Sequence, residues 1–188
     1  RRSCQSAMYH LIHALVRLMA PILTFTAEEI WQSLQHNDGD SIFLHQWTTQ
    51  LPTQLQGDLS MSEWATVMAA RDASNKAIEA ARAEGLLKSS LEASVTLHAT
   101  GDVHQALAKL GDELRFALIT SKAELIEGAG GEATELEGLG VAIAKCEAEK
   151  CGRCWHRCED VGADDKHPTL CGRCITNVDG QGEDRLYA

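Results

Sequence analysis

Cys151-Gly152-Arg153-Cys154 and Cys171-Gly172-Arg173-Cys174 decide the reading of this chain. Sixteen residues separate the two C-x-x-C pairs, a spacing within the range of four-cysteine zinc sites. A tight turn inside each pair lets two thiolates converge on one ion. Two such knuckles close a tetrahedron with Zn–S arms of about 2.3 Å. No coordination position stays open, so the expected role of the metal is structural. The candidate ligands are Cys151, Cys154, Cys171 and Cys174, holding one zinc ion. Four thiolates within a short tail make too small a core to fold unaided, so the metal's binding energy should be folding energy there.

Around this module the chain is ordinary. It has 188 residues, 44% hydrophobic, enough for one good domain with a small appendage. No stretch approaches the roughly 18 apolar residues that span a membrane, and no signal peptide opens it. The missing initiator Met predicts an internal piece of a longer protein. Seven cysteines, an odd number and mostly paired as C-x-x-C, predict reduced thiols, a metal and a cytoplasmic setting. The net charge of −10 excludes a broadly basic nucleic-acid binder. Residues 145–174, however, carry six bases and six acids. Any nucleic-acid contact must come from a few placed cations there.

The predicted elements change character along the chain. Met8, Leu11, Ile12, Leu15, Leu18 and Met19 recur at helical spacing over residues 3–19, and Pro21 stops them. Thr26-x-x-Glu29 reads as a capping box opening a second helix with Ile30, Trp31 and Leu34. A turn is expected at Asn37–Asp40, an extended piece from Ser41 to Trp47 and a loop over 48–59. Ser60-Met61-Ser62-Glu63 offers another box, before a long helix with Trp64, Val67, Met68 and Ile78 on its apolar side. Gly85 should end it. Phe25, Trp31 and Trp64 are expected in the core. Ala93, Val95 and Leu97 alternate as in a half-buried strand. A short helix over Asp102–Leu110, strand-forming stretches within Leu114–Ile126, an exposed loop over 127–140 and a strand at Val141–Ala144 follow. The fold class read from this is mainly α with a small α+β subdomain. Residues 1–86 form a helical bundle, 87–148 an α+β junction subdomain, and 149–188 the zinc module.

The segment from Pro21 to Trp31, PILTFTAEEIW, closely resembles a signature of the helical anticodon-binding domain of class I aminoacyl-tRNA synthetases. Arg71–Arg82 looks like that family's next helix, and Ser90-Leu91-Glu92-Ala93 before a strand fits as well. Gly111–Phe116 and the run Cys151-x-x-Cys154-Trp155-His156 up to Cys174 narrow the resemblance to the C-terminal end of bacterial isoleucyl-tRNA synthetases. It covers essentially the whole chain. It implies a parent enzyme, expected to be monomeric, that attaches isoleucine to tRNA(Ile) using ATP and magnesium in a catalytic domain. His-Ile-Gly-His-like and Lys-Met-Ser-Lys-Ser-like motifs of that chemistry are absent here; His10-Leu11-Ile12-His13 lacks the glycine and sits in an amphipathic helix. No catalytic residue is expected, and no editing domain. The partners implied are the anticodon stem-loop of tRNA(Ile) and the remaining domains of the same polypeptide; no membrane is expected.

Lys150, Arg153, Trp155, Arg157 and Arg173 surround the cysteines and are the tRNA-contact candidates. Trp155 could stack on an unpaired base or pack over the knuckle. The cations could reach phosphates or remain solvated. His156, Cys158 and His167 are competing metal ligands; Cys4 and Cys146 read as plain thiols. Arg71, Asn75 and Arg82 share a helix face and could touch RNA, or join a polar network with Glu79 and Lys76. Two other functions compete: a DNA-repair module, because formamidopyrimidine-DNA glycosylases carry a similar finger, and a zinc-stabilised protein-interaction domain. The signature at 21–31 does not fit the first. A lack of preference for tRNA would mark the second.

Overall fold

The computed structural model describes residues 2–34, 39–47 and 58–187. The chain divides into two compact units, Arg1–Gln54 and Leu55–Ala188.

The first unit holds two helices, α1 (Arg2–Met19) and α2 (Thr24–Ser33), and a 3-10 turn at Ile42–Leu44. Its core is Val16, Ala20, Ala27, Trp31 and Ile42. The indole N–H of Trp31 donates to the Asp40 carbonyl at 3.0 Å, which satisfies the one polar atom of a buried ring. The capping box expected at Thr26 does not form. Helix α2 already begins at Thr24, and Leu23 precedes it without a side-chain cap. The neighbouring Glu28 instead accepts from the Ser41 hydroxyl at 2.8 Å and the Ile42 N–H at 2.9 Å. That pair of bonds winds Ser41–His45 into a tight turn where an extended piece was expected. Phe25 is not a core residue: it is 90% exposed. Along α1, Met8, Leu11, Leu15 and Leu18 are also exposed, while Val16, and Ala20 just past its end, are buried. Helical spacing located this helix; the side it buries is a different one. The turn expected at 37–40 and the loop at 48–59 fall largely outside the described residues.

The second unit begins with α3 (Met61–Ala83). Ser60 and Glu63 form the expected box: the Ser60 N–H donates to the Glu63 carboxylate at 2.8 Å, and the Glu63 N–H to the Ser60 hydroxyl at 3.2 Å. At the far end Gly85 has φ +80°, a left-handed conformation that glycine adopts without steric cost. Leu86 N–H returns to the Ala81 carbonyl and Gly85 N–H to that of Arg82, a Schellman stop.

Next come β1 (Ala93–Ala99), α4 (Gly101–Ala108), α5 (Leu114–Leu118), β2 (Lys122–Glu127), β3 (Glu132–Ala133), β4 (Leu139–Lys145) and α6 (Gly172–Asp179). The sheet order is β2-β1-β4-β3. β1 runs parallel to β2, with Val95 beside Ala123, and antiparallel to β4, with Val95 beside Ile143. In β1, Ala93, Val95, Leu97 and Ala99 are all fully buried, as the alternation predicts. They share one core with Val67, Ala70, Ile78 and Ala81 of α3 and with Leu107, Leu114 and Leu118. The fold is therefore α+β. The stretch from Leu114 splits: its first part is helical and ends at Ile119 in a left-handed conformation, φ +57°, before β2 begins. Within the expected loop at 127–140, residues Glu132 and Ala133 add a short edge strand.

Candidate metal centre

Two local structures bring the four cysteines together. The first knuckle is a narrow hairpin. Cys151 N–H donates to the His156 carbonyl at 2.9 Å, Trp155 N–H returns to the Cys151 carbonyl at 3.0 Å, and Cys158 N–H reaches the Glu149 carbonyl at 2.9 Å. The second knuckle is a helix start. Cys171 is the N-cap of α6, and Cys174 lies in its first turn. Gly172 N–H donates to an Asp160 carboxylate oxygen at 2.8 Å, and Gly152 N–H to the Thr169 carbonyl at 2.9 Å. These bonds tie the intervening loop to both knuckles.

The sulfurs of Cys151, Cys154, Cys171 and Cys174 all lie within 4.8 Å of one another. Cys154 Sγ and Cys171 Sγ are 3.7 Å apart. A zinc tetrathiolate with arms of about 2.3 Å has sulfur–sulfur edges of about 3.8 Å, so the donor set fits the ion in type, number and spacing. Cys151, Cys171 and Cys174 are fully buried and Cys154 is partly buried, a largely dry shell suited to a closed site.

Burial would raise the Cys151 thiol, but N–H groups of Cys154, Cys171 and Arg153 point at its sulfur and bring it down to about 6. Burial pushes Cys171 and Cys174 up to about 12. Without a metal Cys171 and Cys174 thus keep their protons, while Cys151 releases its own more readily; a bound dication would favour the thiolate at each. Zinc at such a site supplies a cross-link and no reactive position.

Of the competing ligands, neither histidine joins the sulfur cluster. His156 sits 5.6 Å from the Phe116 ring centre, and burial together with Arg173, Arg115 and Arg185 lowers it to about 4. His167 Nε2 lies 2.7 Å from the Asp179 carboxylate, which Lys166 also engages at 2.6 Å. Cys158 remains close: its sulfur, an Asp160 oxygen and Cys171 Sγ fall within 4.8 Å of one another. Burial and the nearby Cys154 raise its thiol. Cys146 lies just past β4 with its N–H on the Glu92 carbonyl, and Cys4 is exposed on α1.

The five RNA-contact candidates occupy different situations. Trp155 is 60% exposed, with φ +66° at the tip of the first knuckle. Lys150 Nζ lies 5.2 Å from its ring centre. Arg153 is exposed, with one guanidinium nitrogen 3.6 Å from Cys174 Sγ. Arg157 is drawn inward: it donates to Glu92 at 3.0 Å and to the Ala148 carbonyl at 3.1 Å. Its own N–H donates to the Ser121 hydroxyl at 2.7 Å. Arg173 pairs with Glu183 at 3.0 Å. On α3, Glu79 pairs with Arg82 at 2.7 Å, while Lys76 reaches Glu135 at 2.7 Å.

Sequence reasoning missed a cluster that fastens this module to the sheet. The guanidinium carbons of Arg115, Arg173 and Arg185 lie 4.7, 5.0 and 3.9 Å from the centre of the Phe116 ring. Glu183 binds both Arg173 and Arg185. Beyond it, Leu186 and Tyr187 donate their N–H groups to the Glu113 carboxylate at 2.7 and 2.8 Å. The members lie some seventy positions apart, so no local pattern announces them.

The family described as "Anticodon-binding domain of tRNA ligase" matches residues 1–97, and "Zinc finger found in FPG and IleRS" matches residues 148–177. Over its full length the chain is 49% identical to proteins named isoleucine–tRNA ligase from Pseudoalteromonas atlantica and Shewanella amazonensis. It is 48% identical to one from Saccharophagus degradans. It spans 20% of the length of each of these relatives. With an anticodon-binding match over more than half its residues, the chain belongs to the anticodon-binding family of tRNA ligases.

Proposed function

We propose that this chain is the tRNA-recognition and zinc-binding part of an isoleucine–tRNA ligase, and that it reads the anticodon stem-loop of tRNA(Ile). Trp155 is the observation that carries the reading. A large aromatic ring stands exposed on a hydrogen-bonded knuckle, with Lys150 beside it and the exposed Arg153 two positions before it in the chain, in the least acidic part of an acidic chain. RNA recognition commonly uses such rings to stack splayed single-stranded bases. Trp155, Lys150 and Arg153 form the contact surface in this reading. Arg157 and Arg173 hold its underside in place and add positive potential.

Zinc is held by Cys151, Cys154, Cys171 and Cys174 and orders the knuckle. Residues 1–86 serve as the end of a helical bundle along the anticodon stem, 87–148 as the junction and 149–188 as the zinc module. The exposed apolar row on α1, Met8 to Leu18, suits packing against the remaining domains of the same polypeptide. The ligase itself, a cytoplasmic monomer in this reading, joins isoleucine to tRNA with ATP and magnesium in its catalytic domain. Binding energy gathered here positions the distant acceptor end. This chain alone forms no aminoacyl-adenylate; ATP–pyrophosphate exchange by the purified chain would contradict that. The finger alone would equally suit a DNA glycosylase, but identity along the whole chain supports the ligase.

The deciding experiment measures metal content and titrates the tRNA(Ile) anticodon stem-loop, before and after chelation. One zinc per chain and RNA binding that vanishes with it are expected. A preference for duplex DNA over the stem-loop would favour the glycosylase reading.

A further inference from the structure

Between the zinc module and the sheet lies a cleft of about 400 Å³. Its walls carry Arg115 from α5, Lys122 from the first position of β2, Arg157, and Arg173 from α6. The acidic lining is Glu159 and Asp160, and Asp160 already accepts from Gly172 N–H at 2.8 Å. Two of the cations are answered by carboxylates, Arg157 by Glu92 and Arg173 by Glu183, each at 3.0 Å. Arg115 and Lys122 make no ion pair among the described residues. Arg115 touches the Phe116 ring instead, and Lys122 is exposed. The Nε atoms of Arg115 and Arg157 are buried without an acceptor. A guanidinium cannot relieve this by losing its proton, and an unmet buried donor is costly.

This chain has 27 acidic side chains to 17 basic ones, so carboxylates to neutralise these groups are not scarce. A concave site that nevertheless leaves two of its lining cations without a carboxylate suits an anion. Guanidinium forks match phosphate oxygens in geometry as well as charge. We propose that this cleft receives a backbone phosphate of the RNA engaged by the zinc module, with Arg115 and Lys122 as its principal contacts; the proposal rests on the tRNA reading above. Cys158 and Cys171 line the same cleft, so the metal-ordered loop forms one of its walls. Arg157 and Arg173, clamped by Glu92 and Glu183, fix the remaining walls and contribute field. The cleft thus complements the exposed ring of Trp155: stacking at the knuckle tip reads a base, and the cleft positions the strand.

The test uses the zinc-loaded chain and the tRNA(Ile) anticodon stem-loop, titrated at several salt concentrations. Arg115→Gln and Lys122→Gln are compared with wild type after zinc content and circular dichroism are found unchanged. Lys122 is exposed at a strand end, so its variant stays folded even if Arg115→Gln, which loses its ring contact, does not. Each variant should weaken binding at low salt and flatten the plot of log K against log salt, by at most about 0.7–0.9, the full loss of the one shared phosphate. Wild-type binding with an unchanged slope in Lys122→Gln and in folded Arg115→Gln overturns the cleft while leaving the tRNA reading intact. No RNA binding by the wild-type chain overturns both.

Discussion

Replacing Trp155 by glycine should separate folding from recognition. Trp155 is 60% exposed and held at φ +66°, a region that costs an L-residue about 1–2 kcal/mol. Glycine removes that strain but returns about 0.5–1 kcal/mol through the freer unfolded chain. Losing the Lys150 contact, 5.2 Å from the ring centre, costs about 0.5–1 kcal/mol at an exposed site. These terms nearly cancel, so stability should change by less than about 1 kcal/mol. Recognition should not be spared. Base stacking on an aromatic ring contributes about 1–3 kcal/mol, which corresponds to a roughly 5- to 160-fold weaker Kd. The assay is urea unfolding with zinc present, alongside a stem-loop titration of the same preparation. If the variant loses several kcal/mol of stability or its zinc while RNA affinity per folded molecule is unchanged, the ring is a structural cover and the argument fails.

Other perturbations act on separate parts of the fold. Cys151→Ser, or chelation, should disorder residues from about 145 onward and leave the β1–α3 core folded. Amide exchange should then be fast in the tail and slow at Val95 and Leu97; loss of protection throughout would show that the tail and sheet unfold together. Ser60→Ala removes half of the box that starts α3 and should cost about 1 kcal/mol in urea unfolding without changing zinc content. Glu63 is held down at about 2 by its bond from Lys109 and then by the Ser60 N–H, against 4.5 when unperturbed. Its contribution is complete above pH 4.5 and fades as the pH falls toward 2, because the unfolded chain binds that proton first. The difference in urea midpoint between wild type and Glu63→Gln should therefore shrink across that window; a constant difference from pH 2 to 7 would refute the assignment.

Local chemistry made much of this molecule legible. The C-x-x-C pairs needed only short-range turns to converge. The Ser60 box and the Gly85 stop are satisfied within their own helix. The alternation in β1 follows from the two-residue period of a strand. Thr26 shows where this reasoning ends: its spacing to Glu29 is right, yet the helix begins at Thr24, three residues before such a box would start it, so Thr26 lies inside the first turn, and Glu28 is bound instead to the turn at Ser41 and Ile42. Leu114–Leu118 is apolar enough for a strand but packs as a helix in the core it shares with α3. Phe25 is apolar and exposed, which no pattern within the chain could distinguish from a buried ring. The fastening of the zinc module was invisible for a simpler reason. Glu92 with Arg157, and Glu113 with Leu186, meet across more than sixty positions.

Those long-range bonds would explain how a tail with almost no apolar core can present the proposed recognition surface. Zinc fixes the sulfurs relative to one another, but it cannot by itself orient the knuckle against the sheet. Orientation comes from Arg157, whose N–H and guanidinium reach Ser121, Ala148 and Glu92, and from the arginines gathered on Phe116. Ser121 in turn donates to the Leu91 carbonyl at 2.5 Å, just before β1 begins. One short path of hydrogen bonds thus runs from the central strand to the knuckle that carries Trp155. A rigid knuckle lowers the entropy lost when RNA binds. In the proposed reading Arg157 and Arg173 would therefore serve recognition by placing Trp155, while Arg115 and Lys122, without ion pairs among the described residues, would remain available for the phosphate.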